Sequence, residues 1–262
     1  MKLRWLVGRI SRMVALPAIL LLAWWAFSYG STNPYWPSLA VIFDAFPGTW
    51  TPERLIGDML PSLARLLLGY AMALAFGVAL GTAIGSLPTL RALCDPILEF
   101  VRAVPPPILL PIVALFAGYT SETSKIVTIG LGCTWPILLN TIEGVRSLEA
   151  GLLDAARSFR FRPSTRLFKV ILPGASPRIA AGARLSLAIG VVLMVISEMF
   201  AADRGLGASV VQFQRTFAIP QMWTGIMVLG LIGVALSAIF QFVESRVLAW
   251  YHGQRRTART SP

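Results

Sequence analysis

Six runs of apolar residues, each roughly 16 to 22 long and almost free of charge, constrain this 262-residue chain more than any other feature. They extend from Val14 to Tyr29, Leu66 to Ile84, Val104 to Tyr119, Ile126 to Ile142, Leu185 to Ala202 and Trp223 to Val243. A helix rising 1.5 Å per residue needs about 20 residues to cross some 30 Å of hydrocarbon. Only 13% of the residues are charged and 56% are hydrophobic, whereas a soluble domain carries about a quarter charged residues. Such a chain cannot clothe itself for water, so the bilayer is its solvent. The expectation is an all-α, polytopic membrane protein with about six transmembrane helices, forming one transmembrane domain over residues 1–262.

The net charge of +11 would in a soluble protein raise the question of nucleic acid. Its placement gives another answer. Eighteen of the 23 Lys and Arg residues fall at the N-terminus (Lys2, Arg4, Arg9, Arg12), beside Arg91 and Arg102, between Arg146 and Arg184, and from Arg246 onward. With six spans and the N-terminus inside, all eighteen are cytoplasmic, as the positive-inside rule requires. Arg54, Arg65, Lys125, Arg204 and Arg215 remain near the outer face. The sequence therefore predicts lipid and not nucleic acid as the surrounding partner, both termini in the cytoplasm, residues 30–60 outside and 146–184 inside. Cys94 and Cys133 lack Cys-x-x-Cys spacing and His252 is the lone histidine, which predicts neither a disulfide framework nor a metal site. Trp24 and Trp25 stand where a signal-peptidase site would want small residues, so residues 14–29 are expected to stay as an anchor helix.

Prolines and glycines punctuate the remainder. Residues 30–61 hold Pro34, Pro37, Pro47, Pro52 and Pro61, which predicts an external connector of loop and short turns. Gly77, Gly81 and Gly85 strip one face of the second span, inviting close approach of a neighbouring helix. Pro105, Pro106, Pro107 and Pro111 open the third span and Pro136 interrupts the fourth, so both are expected to be kinked or broken. In lipid, freed carbonyls are tolerated only inside protein or beside a watery cavity. Pro107 and Pro136 are thus candidates for a pathway lining, with a plain structural kink as the alternative.

More than 40 residues between Thr141 and Leu185 are neither lipid-compatible nor low in complexity. Leu148 to Phe161 reads as a short helix with Leu148, Leu152, Ala155 and Phe159 on one face, and Thr165 to Leu172 as a second piece ending before Pro173. Within this stretch Asp154, Ala155 and Ala156, followed by Val170, Leu172 and Pro173, resemble the Glu-Ala-Ala loop of ATP-binding cassette importer permeases, which ends in Ile-x-Leu-Pro at the same separation. The resemblance implies cytoplasmic coupling helices within residues 146–184 that seat on an ATPase subunit. Paired alanines allow close entry into a groove, an acid near the helix start suits the dipole, and Arg157 and Arg160 can pair with a partner surface. Asp154 replaces the family's Glu, and Arg160 stands where the family has the Gly that eases a left-handed turn.

Pro61 to Gly69 (PSLARLLLG), Asp95 to Pro107 (DPILEFVRAVPPP), Ser124 to Val145 (SKIVTIGLGCTWPILLNTIEGV) and Glu198 to Gly207 (EMFAADRGLG) extend the likeness over a core of about residues 57–250. They are similar to the permease branch serving taurine, alkanesulfonates and nitrate. The resemblance implies a multi-pass protein of the bacterial inner membrane, a second permease chain identical to this one, two ATP-binding subunits and an extracytoplasmic solute-binding protein. The chain itself is expected to bind no cofactor: none of Lys2, Lys125 and Lys169 is followed by Ser or Thr, as a P-loop would need. A gradient-driven carrier is the alternative, although such a carrier uses intramembrane ionisable groups and only Glu198 lies clearly within a span. Glu198 falls thirteen residues past Arg184, about 20 Å along a helix. Pairing with Arg65 and lining the outer gate are both open for it. Gly205 and Gly207 resemble the family's external turn near that gate, and a plain turn stands beside that reading.

Overall fold

The computed structural model describes residues 2–251, with side chains from residue 15 onward except that of Ala201. The side chains of Lys2, Arg4, Arg9 and Arg12, and the tail holding His252, lie outside the described residues. Among the described residues the chain is helical without a strand. The helices are α1 (Lys2–Ser28), α2 (Leu39–Thr49), α3 (Pro52–Ser86), α4 (Pro88–Ala103), α5 (Pro106–Ala117), α6 (Glu122–Arg146), α7 (Ala150–Ser158), α8 (Pro163–Phe200), α9 (Leu206–Arg215) and α10 (Ile219–Val247).

Helices α3, α6, α8 and α10 are each long and apolar enough to cross a membrane, and α4 with α5 form a pair bent by 88°. Four of the six apolar blocks thus fall on full-length helices, the third covers only α5 of the bent pair, and the first falls on the shorter apolar stretch Ala15–Ser28, so among the described residues four or five spans, and not six, are long and apolar enough to cross. The break follows from Pro105, Pro106 and Pro107, which remove three successive backbone donors. The expected break at Pro136 and the expected separate helix before Pro173 need correcting. Helix α6 continues unbroken through Pro136, whose neighbourhood is fastened by Asn140 Nδ2 donating to the Pro136 carbonyl at 2.8 Å. The stretch before Pro173 is not a separate helix but the opening turns of α8, which at 38 residues is about 57 Å long and outruns the hydrocarbon core.

Pro61 and Pro173 are handled alike. Each follows a wide turn in which the residue just before the proline donates five back, Leu60 to the Leu55 carbonyl and Leu172 to Leu167. The extra residue in the turn accommodates a ring that would otherwise collide with a carbonyl four residues earlier. The connector is also more ordered than its prolines suggest. It contains α2, capped by Ser38, and the first turns of α3.

The core lies where α6 is sandwiched between α3 and α8. Toward α3, a Cβ on Gly81 would stand 2.7 Å from the Thr141 Cβ and 2.8 Å from the Leu138 carbonyl, and Gly69, Gly77 and Gly85 are equally close to α6. The glycine face does bring two backbones together. Toward α8, Cys133 Sγ donates to the Ser186 carbonyl at 3.3 Å while Ser186 Oγ donates back to Cys133. Tyr70 Oη bonds the Ala183 carbonyl at 2.8 Å and ties α3 to α8 directly. Helix α10 is peripheral, and its exposed Leu231, Val234, Ile239 and Phe242 suit hydrocarbon. Near its start Trp223 packs on Trp24 of α1 and on Trp36, at ring-centroid separations of 5.1 and 5.6 Å.

Candidate functional site

Two constellations occupy opposite ends of this bundle. The first gathers on Arg65, in the first half of α3, with a side chain only 5% exposed. Its Nη1 donates to Glu198 Oε1 of α8 at 2.7 Å and to the Arg204 carbonyl at 2.9 Å. Its Nη2 donates to Glu122 Oε1 at 2.8 Å, and Nε donates to Glu122 Oε2, a two-pronged grip on the first residue of α6. Lys125, itself buried, stands 3.4 Å from Glu122 and donates to the Thr120 carbonyl at 2.8 Å. Two cations and two anions therefore cancel at the meeting point of α3, α6 and α8. A lone carboxylate there would be costly, whereas this set satisfies both oxygens of Glu198, the second accepting from the Gly207 N–H at 2.9 Å.

The glycines explain how the chain closes over that carboxylate. Gly205 has φ +135°, and a Cβ on it would lie 2.5 Å from the Glu198 Cδ. A Cβ on Gly207 would lie 2.6 Å from the Val195 carbonyl. Only a backbone without side chains can cross so near. Asp58 fastens the same turn, accepting from Ser209 Oγ at 2.6 Å and from the Gly205 N–H at 3.3 Å. Beside Glu198 a cavity of about 550 Å³ is lined by Tyr119, Thr120, Asp203, Gln212 and Arg215 among others.

The structure thus joins Arg65, Glu198, Gly205 and Gly207, and separates them from the proline candidates. Pro136 lies fourteen residues along α6 from Glu122, about 21 Å away on a straight helix. Pro107 sits at the α4–α5 bend, next to Pro106, which packs toward Gly132. With every nitrogen of its guanidinium engaged, Arg65 is no open anion receptor in this arrangement. Glu122 and Asp58 escape a sequence reading because key partners lie far away along the chain: Arg65 is 57 residues from Glu122 and Gly205 is 147 from Asp58.

The second constellation is α7. Leu152, Ala155 and Phe159 are exposed along one side, whereas Ala156 is buried against the rest of the chain. The two alanines therefore face different ways. Asp154 lies beyond the first turn of α7, so its charge does not serve the helix start; it accepts from Arg157 at 3.0 Å in a largely exposed pair. Arg160 adopts φ +52°. Its N–H bonds the Arg157 carbonyl at 2.8 Å and the Phe161 N–H bonds Ala156 at 3.1 Å. That pair of bonds is the helix-ending left-handed turn, built with arginine where glycine would be easier. Val170, half-buried, belongs to the wide turn that Leu172 and Pro173 close.

Residues 73–249 match the family model described as the binding-protein-dependent transport system inner membrane component. The chain belongs to this family. It is 32% identical to the taurine transport system permease protein TauC of Escherichia coli (strain K12), over 97% of this chain and 94% of the relative. It is 31% identical to the nitrate import permease protein NrtB of Leptolyngbya laminosa, over 79% of this chain and 75% of that one. Its fold resembles a chain of the MetNI methionine ABC transporter in inward-facing conformations, with a TM-score of 0.62 at 21% identity, covering 73% of this chain and 93% of that one. As a member of the family it is a permease subunit of an ATP-binding cassette importer.

Proposed function

We propose that this permease pairs with a second copy of itself, couples to two ATP-binding subunits through α7, and passes a small solute of the taurine, sulfonate or nitrate type delivered by an external binding protein. ATP is bound by the partner subunits and this chain has no ATPase site of its own. Residues 1–262 act as one transmembrane domain, anchored by residues 14–29, with both termini and residues 146–184 in the cytoplasm. The Arg65 cluster then belongs to the outer gate, and α7 is the coupling helix.

The observation that carries this reading is the exposed stripe Leu152, Ala155 and Phe159 on a short helix whose other face is locked into the bundle. An apolar stripe in water is costly unless a partner covers it. Helix α7 touches the opening turn of α8, so a push on α7 reaches the helix that carries Glu198. Paired with Arg65, Glu198 presents no uncompensated negative charge that would repel an anionic cargo. The neighbouring cavity carries Arg215 and Asp203 together, a mixture that suits a zwitterion such as taurine better than nitrate. The test is reconstitution in liposomes with the ATPase subunit and the binding protein. Ala155→Arg is expected to insert normally and to abolish both transport and the stimulation of ATP hydrolysis by loaded binding protein. Full transport by that variant would remove α7 as the coupling element.

A further inference from the structure

Along α3, Ala75, Ala79 and Ala83 recur every fourth residue and leave a trough between that helix and the wide turn of α8. The groove measures about 800 Å³ and is walled by Leu74, Val78, Leu87, Leu167, Phe168 and Leu172, with Thr82 and Ser86 its polar members. From Leu74 to Leu87 it runs about 20 Å at 1.5 Å per residue, slightly more than one leaflet's share, about 15 Å, of the hydrocarbon core. Its α7 end opens beside a second cavity, of about 200 Å³, which it meets at Ser86 and at the step from Arg166 to Leu167. Three guanidinium side chains, Arg146, Arg157 and Arg166, line that second cavity. Arg146 and Arg157 each donate one bond to an acid of their own helix, Glu143 at 2.8 Å and Asp154 at 3.0 Å. Arg166 has no ion-pair or side-chain hydrogen-bond partner among the described residues.

An apolar trough as long as an acyl chain, ending in a cationic pocket at the depth where headgroups lie, matches one kind of molecule. We propose that an anionic phospholipid of the leaflet on the α7 side occupies this site, one chain along α3 and its phosphate beside Arg166. A guanidinium grips phosphate oxygens with two parallel donors, and basic pockets between membrane helices suit such headgroups. Because the pocket is walled at once by the ends of α3 and α6, by α7 and by the start of α8, the lipid braces the coupling helix against the bundle. The inference takes the α7 end as cytoplasmic, as in the reading above. Its test needs no ATPase subunit, so either can fail without the other.

The experiment is native mass spectrometry of the purified full-length chain after titration with phosphatidylglycerol or phosphatidylcholine in mixed micelles, with inorganic phosphate as a separate arm. One phosphatidylglycerol is expected to be retained at least tenfold more tightly than phosphatidylcholine and to resist millimolar phosphate. Arg166→Gln should weaken it about fivefold, and Ala79→Trp, which fills the trough, should weaken it at unchanged melting temperature. Arg215→Gln, at the far end of the bundle, should leave the retention of phosphatidylglycerol as it is. Equal retention of both lipids would overturn the proposal. So would displacement by phosphate alone, which would leave a bare anion pocket, or efficient Ala79→Cys crosslinking between two copies, which would assign the trough to a dimer contact.

Discussion

Arg160 stands in a left-handed conformation that its Cβ disfavours, and the helix end it completes is fully bonded regardless. Relieving that strain requires no new contact. Arg160→Gly is expected to stabilise the purified protein by about 0.5 to 1 kcal/mol, read as a raised melting temperature in detergent. An unchanged or lower value would mean that the arginine side chain gives back what its backbone costs. The Arg65 cluster behaves in the opposite way, since each member is sound only while the others remain. Glu198→Gln should cost about 1 to 3 kcal/mol, because it removes one of the two carboxylates that neutralise the buried Arg65 guanidinium while Glu122 keeps its grip. Replacing both ends of the pair, as in Arg65→Met with Glu198→Leu, should cost clearly less than the two single changes added together. Additive losses would mean that Arg65 and Glu198 are not energetically coupled. Glu122 is the weaker partner of Arg65, as its side chain is 59% exposed and solvent screens the pair.

Among the elements, α6 is the one that cannot move independently. Glycines of α3 lie against one side of it, and the Cys133–Ser186 exchange holds the other to α8. Gly81→Ala should lower stability by about 1 to 3 kcal/mol, since the added methyl meets the Thr141 side chain and a backbone carbonyl that cannot yield. At Gly230 and Gly233 on α10, an added methyl would have open space for 4 Å around it. Alanine at either should instead be neutral or stabilising by up to about 1 kcal/mol through helix propensity. Thermal unfolding of the three variants measures the contrast, and equal effects would show that the α3–α6 seam is no tighter than the periphery. The regular spacing of the α3 glycines made this seam legible beforehand. The fate of the two proline-marked spans was not legible in the same way. Three adjacent prolines break α4 from α5, while α6 accommodates the single Pro136 without breaking.

On the scale of the whole molecule, the proposed orientation places Ser164 in the cytoplasm, because the reverse arrangement would carry most of the basic residues across the membrane. Ser164→Cys is therefore expected to resist a membrane-impermeant thiol reagent in intact cells and to react after permeabilisation. Labelling in intact cells would invert the map. Hydropathy and charge placement are sums over neighbours along the chain, and they sufficed for a helical, lipid-solvated protein with a long polar stretch between its later spans, while the permease family was legible in the motifs. The pattern Asp154, Ala155, Ala156 marked α7 in the same local way. Which alanine faces outward was decided by packing, for adjacent helical residues point about 100° apart and only the seat of α7 selects the buried one. Of the partners of Arg65, Glu198, 133 residues away, already stood as a candidate in the sequence, whereas Glu122, 57 residues away, did not. An intramembrane carboxylate such as Glu198 must be neutralised, which its place in an apolar run makes plain, but only the crossing of α3, α6 and α8 buries Arg65 and determines which charges come within reach.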